Sequence, residues 1–249
     1  MEKNESLESS SDTLIGHLIE LKSRLIRVLL ACFAGMILCY NYTAIMFDYI
    51  RGPIAPYLKG GGLVFTGPMD KFISHLKLAF FGGFILASPI WIYQIWKFVA
   101  PGLYSKERKY SLGFILSGTV LFLVGVSFSY FLVLPMAFKF LMTYGGDVDQ
   151  PMITIGEYLS FFVTTCLSFG AAFEMPLIIT LLGMMGIINQ KFLRKNRRYA
   201  VIVLSVISAV ITPPDLLSML LMMVPMLVLY EVSVLLVGIF QPKEVADIE

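Results

Sequence analysis

Ionisable residues are scarce in this 249-residue sequence, where Asp, Glu, Lys and Arg together make up 14% and the net charge is +2. With 57% apolar residues and a mean hydropathy of +0.80, the chain carries more apolar surface than one water-surrounded core can hide. Lipid is therefore part of its solvent. The few bases fall in short clusters rather than along one face, which argues against nucleic acid as a partner. Cysteine is nearly absent as well. Cys32, Cys39 and Cys166 all lie inside apolar runs without CxxC spacing, so they read as small packing residues and not as a redox pair or thiolate metal site. The two histidines, His17 and His75, lack the paired spacing of metal ligands. A nucleophile–base–acid set and a phosphate-cradling glycine loop are also missing, so the expectation is a protein that is not an enzyme and uses no metal or cofactor. The first thirteen residues are polar and Ser/Glu-rich, without the order of a cleavable signal peptide, and read as a solvated tail.

What the sequence has instead is long apolar runs. A spanning helix needs about 20 such residues at a rise of 1.5 Å each. Residues 28–47, 78–96 and 110–138 contain no ionisable Asp, Glu, Lys or Arg, and they predict the first three spans at about 28–47, 76–98 and 110–138. A fourth, about 158–188, carries Glu174 and Pro176 near its middle. The last apolar stretch is divided by Thr212-Pro213-Pro214-Asp215, where proline removes backbone donors and Asp can cap a new start. Spans at about 199–211 and 216–240 result, the fifth reaching only about 20 Å against a core of about 30 Å. Snorkelling Arg197 and Arg198, or local thinning of the bilayer, would accommodate it.

Six spans put both ends on one side. Fourteen of the 19 bases fall in the tail, the second and fourth loops and the C-terminus, so these are expected to face the cytoplasm. The first outer loop holds Pro53, Pro56, Gly60, Gly61, Gly62 and Pro68, too many breakers for a span but suited to short helices on the outer face. Paired broken helices of an inverted-repeat transporter are not seen, because the irregular features all fall in the second half.

Three regions carry chemistry. Residues 14–27 form an amphipathic lead-in with Leu18, Leu21 and Leu25 on one side, and on this stretch alone it reads as an ordinary interfacial anchor in which Glu20 pairs with Arg24 at i, i+4 spacing. The second inner loop, Lys97 to Lys109, has a Pro101-Gly102 turn and one acid, Glu107, among four bases near Phe98 and Tyr104. Glu174 is the strongest single signal, since a carboxylate inside a bilayer is costly and marks a pathway, a proton relay or a polar partner contact. The alternative for it is a structural acid hydrogen-bonded between helices. Glu231, nearer an inner helix end, reads as structural. A proton-coupled secondary transporter using Glu174 is the rival functional class, and a membrane-embedded enzyme a more distant one.

The order of these motifs resembles the TatC family, the multispanning component of the twin-arginine protein translocase. The resemblance covers His17-Leu18-Ile19-Glu20-Leu21, then Phe98-Val99-Ala100-Pro101-Gly102-Leu103-Tyr104 with Lys106-Glu107-Arg108, and Ser168-Phe169-Gly170-Ala171-Ala172-Phe173-Glu174-Met175-Pro176. It continues through Leu193-Arg194-Lys195-Asn196-Arg197-Arg198-Tyr199 to Thr212-Pro213-Pro214-Asp215. The resemblance implies an all-α, glove-like concave bundle of six helices with short fifth and sixth members, both termini cytoplasmic, in a bacterial-type inner membrane. It implies a receptor for the twin-arginine signal peptides of folded cargo, with Glu20 and Glu107 taking the two arginines and Phe98, Lys106 and Arg108 beside them. Single-span TatA/TatB-type partners would dock at Glu174, Thr212 and Asp215, further copies of the chain would join the complex, and the protonmotive force would drive export. One departure is the sixth helix, apolar over Met219 and Leu220 where a further polar residue is expected.

Overall fold

The computed structural model describes the backbone of residues 2–58, 62–99, 111–144, 152–211 and 216–240, and side chains within 19–58, 62–98, 112–144, 152–210 and 219–240. Among these residues the only extended pairing is a bridge between Val64 and Thr154. Everything else regular is helical. α1 (Glu2–Tyr40) is apolar from Ile19, and a two-residue turn separates it from α2 (Thr43–Ile50). The predicted run of helix through residue 47 is therefore interrupted. Thr43 explains the interruption: its hydroxyl donates to the Tyr40 carbonyl at 2.9 Å, offering the backbone a local alternative to the helical ladder.

α3 (Asp70–Leu86) and α4 (Ser88–Val99) replace the single span predicted at 76–98, and they are bent by 56° at the intervening Ala87. Pro89 supplies the cause, because its ring has no N–H and clashes with the carbonyl one turn back. Trp91 donates its indole N–H to Phe84 O at 3.3 Å across the bend. α1 packs tightly on α3 at a point where both backbones are bare. A Cβ added at Gly83 would lie 2.3 Å from Met36 N, and one added at Gly35 would lie 2.7 Å from Gly83 O. Small residues of this kind let helices approach in a membrane, where packing must replace the hydrophobic effect between segments.

α5 (Ser111–Phe128) and α6 (Leu134–Thr143) form one apolar stretch joined by a π turn at Ser129–Val133. The widened turn sits just before Pro135, whose missing donor it absorbs. α7 (Ile155–Phe173) and α8 (Met175–Met184) follow, with Thr154 capping α7 through the Glu157 N–H at 3.2 Å. Short α9 (Gln190–Lys195) leads into α10 (Arg197–Ile211) and α11 (Leu216–Phe240).

Among the described residues, four stretches are long and apolar enough to cross a bilayer, Ile19–Tyr40, Leu112–Thr143, Ile155–Met184 and Met219–Phe240, and the bent α3–α4 pair taken as one span makes a fifth. α10, with 15 residues, reaches about 22 Å and falls short of the hydrocarbon core.

The buried apolar side chains form three clusters among the described residues, two of them large and a small one of Trp96, Leu181 and Met184. On the side of the α2 loop, Phe47, Ile54, Leu78, Leu134, Tyr158 and Phe162 are buried together. There Tyr158 donates its hydroxyl to Ile50 O and Tyr130 donates to Tyr49 O at 2.7 Å, pinning the loop to α7 and the π turn. The second cluster joins Phe169, Met222, Met226, Tyr230 and Val237, and so seats α11 against α7. Many large apolar side chains point outward, among them Leu30, Phe33, Phe131, Val210 and Ile239. Such a belt suits contact with lipid.

Candidate functional site

Glu174 lies where α7 gives way to α8, two residues ahead of Pro176. The junction turns the helix without breaking its ladder, since Glu174 N–H donates to Ala171 O and Ile178 N–H donates to Glu174 O. Glu174 as a residue is only 8% exposed, and its Oε1 is buried with no hydrogen-bond partner among the described residues. It opens on a cavity of about 220 Å³ walled by Trp91, Ile95, Trp96, Phe114 and Leu177. Trp96 and Phe114 stack with centroids 4.6 Å apart and their planes 16° from parallel. Gly118 leaves room for the acid, because a Cβ there would stand 3.3 Å from Oε2. An unpartnered carboxyl oxygen in an aromatic hollow is costly.

The second acid has a different setting. Glu20 is half-buried near the start of the apolar part of α1, and it accepts from Arg24 Nη2 one turn further on. Arg24 is the buried member, its side chain 8% exposed against 38% for Glu20. Its Nε and Nη1 have no partner among the described residues. α1 also packs on α4, whose last described side chain, Phe98, is 41% exposed. Glu20 and Phe98 therefore ride on contacting helices. Lys106, Glu107, Arg108, Thr212 and Asp215 lie outside the described residues.

Glu231 pairs with Arg197 at 2.6 Å. Together with Tyr230 donating to Leu193 O and Gln190 donating to Val234 O, this fastens α9 and the start of α10 to α11. The structural reading of Glu231 holds. Sequence reasoning missed the tryptophan walls around Glu174 and buried Gln94, whose Oε1 also has no partner among the described residues. A lone glutamine in an apolar run was the available signal for Gln94. No cluster of three or more metal-ligating side chains occurs among the described residues.

An all-helical bundle of long apolar helices with an acid buried among them defines a polytopic integral membrane protein. The family model for the Sec-independent protein translocase protein TatC matches residues 16–225, and the chain belongs to that family. TatC of Carboxydothermus hydrogenoformans is 41% identical over 239 residues, covering 96% of this chain and 98% of that one. TatC of Desulforapulum autotrophicum is 37% identical over 245 residues, covering 98% and 91%. Among solved structures, the crystal structure of the twin-arginine translocase receptor TatC superposes with a TM-score of 0.79 at 34% identity, covering 90% of this chain and 99% of that one. The chain is thus a component of a Sec-independent protein translocase in a membrane, and not an enzyme.

Proposed function

We propose that this chain is the receptor that binds twin-arginine signal peptides at the cytoplasmic face of a bacterial-type inner membrane. It assembles there with TatA/TatB-type single-span partners and further copies of itself to export folded proteins. Six crossings, the last two being the short α10 and an α11 that at 25 residues is longer than the resemblance implies, leave both termini in the cytoplasm. Glu20 and Glu107 take the two guanidinium groups, while Phe98, Lys106 and Arg108 border them. Glu174, Thr212 and Asp215 meet the polar groups of partner helices, and the protonmotive force drives the cycle.

The observation that carries this reading is that Glu20, about midway along α1, already holds a guanidinium, that of Arg24. A carboxylate so placed recognises arginine by charge-assisted hydrogen bonds, and the planar fork favours Arg over Lys. The transporter reading is weaker, because no described carboxylate besides Glu174 is buried to relay a proton.

A photocrosslinker at position 98 tests the placement. With inverted membranes the expected result is an adduct between position 98 and an Arg-Arg signal peptide, and none from position 144, whose Tyr144 is exposed past the far end of α6. The opposite pattern would overturn both the site and the orientation.

A further inference from the structure

Lys77 stands seven residues beyond the start of α3, exposed on the outside of a helix that with α4 makes up one of the apolar spans. Its ammonium donates to Ser160 Oγ of α7 at 3.1 Å. The ion pairs among the described residues are Glu20–Arg24, Asp48–Arg51 and Glu231–Arg197, and Lys77 takes part in none of them. A hydroxyl uses one of the three ammonium donors and neutralises none of its charge. A lysine in this zone needs an anion or a path to the interface.

The space beside it has matching chemistry. An open groove of about 470 Å³ runs between α1, α3 and α7, with Lys77, Ser160 and Thr164 as its polar lining and Met36, Phe80 and Val163 among its apolar walls. Ser160 and Thr164 are one helical turn apart and share a face. The residues leading into α3 and α7 are tied together by the Val64–Thr154 bridge, so the two helices enter the membrane side by side. At 1.5 Å per residue, Lys77 and Ser160 sit about 8 to 10 Å along their helices. With the two helix starts placed at the membrane interface, that distance corresponds to the level of phosphate and glycerol and not to the bilayer centre.

Size decides what fits. A helix 10 to 12 Å across fills roughly 400 to 600 Å³ per 5.4 Å turn, so the groove would take a single turn of a partner helix. A phosphate with its glycerol and the first part of an acyl chain uses the whole groove, its anion on Lys77, its ester oxygens on the hydroxyls and its chain on Phe80 and Val163. A zwitterionic headgroup brings its own ammonium to compete for the phosphate, whereas a net-anionic one does not. We propose that the α1–α3–α7 groove is a binding site for an anionic phospholipid, anchored by Lys77, Ser160 and Thr164.

Phosphatidylglycerol titrated into the full-length protein in neutral detergent, with bound lipid counted by native mass spectrometry, tests the proposal. Lys77→Gln is expected to bind about fivefold more weakly, the equivalent of about 1 kcal/mol per base at an anionic surface. Lys77→Arg keeps the charge and is expected to stay within twofold of the unaltered protein. Millimolar inorganic phosphate should not displace the lipid, because it cannot use the apolar walls. Equal binding by Lys77→Gln, an equal loss in Lys77→Arg, or displacement by inorganic phosphate would each overturn the proposal. If Lys77→Gln does not fold, a photoactivatable phosphatidylglycerol on the unaltered protein decides instead. Adducts within residues 73–80 and 160–164 support the site, and adducts confined elsewhere refute it.

Discussion

Glu20→Gln and Glu107→Gln will each reduce binding of an Arg-Arg signal peptide at least tenfold, as read by crosslinking or by titration with a fluorescent peptide. A hydrogen bond to a charged group contributes about 1.5 to 3 kcal/mol, and an amide keeps the shape of the carboxyl while losing the charge. The two variants should differ in stability. Glu20→Gln strands the guanidinium of Arg24, which is buried and bonded to Glu20 through Nη2. Removing one member of a buried pair costs more than removing both. The double variant Glu20→Gln/Arg24→Gln is therefore expected to regain thermal stability in detergent without regaining peptide binding. Restored binding in the double variant would mean that Glu20 acts only by neutralising Arg24 and is not itself a ligand for the peptide.

Gly83→Ala will destabilise the bundle more than any other single methyl addition at the α1–α3 crossing. Overpacking ordinarily costs about 1 to 3 kcal/mol, but here the added carbon would sit 2.3 Å from Met36 N and 2.7 Å from the Gly35 carbonyl carbon. These are backbone atoms, which cannot rotate aside. Gly113→Ala, where an added carbon meets nothing within 4 Å, is the control and should leave the melting temperature within a degree or two. A Gly83→Ala protein as stable as this control would show that the two helices do not approach as closely as described.

Much of this architecture was legible because membranes leave few choices. The lack of charge, and apolar runs of spanning length, announced an all-helical membrane protein, since exposed backbone polar groups are not tolerated in hydrocarbon. Where the chain departs from a plain run of helix, the cause was visible but its geometric effect was not. Pro89 lay within a predicted span and bends it by 56°, and Pro135 accompanies a π turn rather than a break. Thr43, an unremarked polar residue, ends what looked like a continuous helix.

The site divides in the same way. Glu174 was conspicuous as a lone acid, and the i, i+4 spacing of Glu20 and Arg24 foretold their pairing. The unpartnered oxygen of Glu174 was not foreseeable, because its walls come from Trp91, Trp96 and Phe114, 60 to 83 residues away in the chain. Local spacing cannot reveal such a neighbourhood. The burial of Arg24 likewise depends on helices packed over α1, and the Lys77–Ser160 contact joins residues 83 positions apart. Long-range contacts of this kind leave no periodic trace.

Recognition of paired arginines is the claim on which the rest depends. Its most direct measurement is the affinity of the full-length protein, in detergent or nanodiscs, for one signal peptide carrying Arg-Arg and for the same peptide carrying Lys-Lys. Carboxylates that engage the guanidinium fork should bind the Arg-Arg peptide at least tenfold more tightly. Equal affinity for the two peptides would contradict the account.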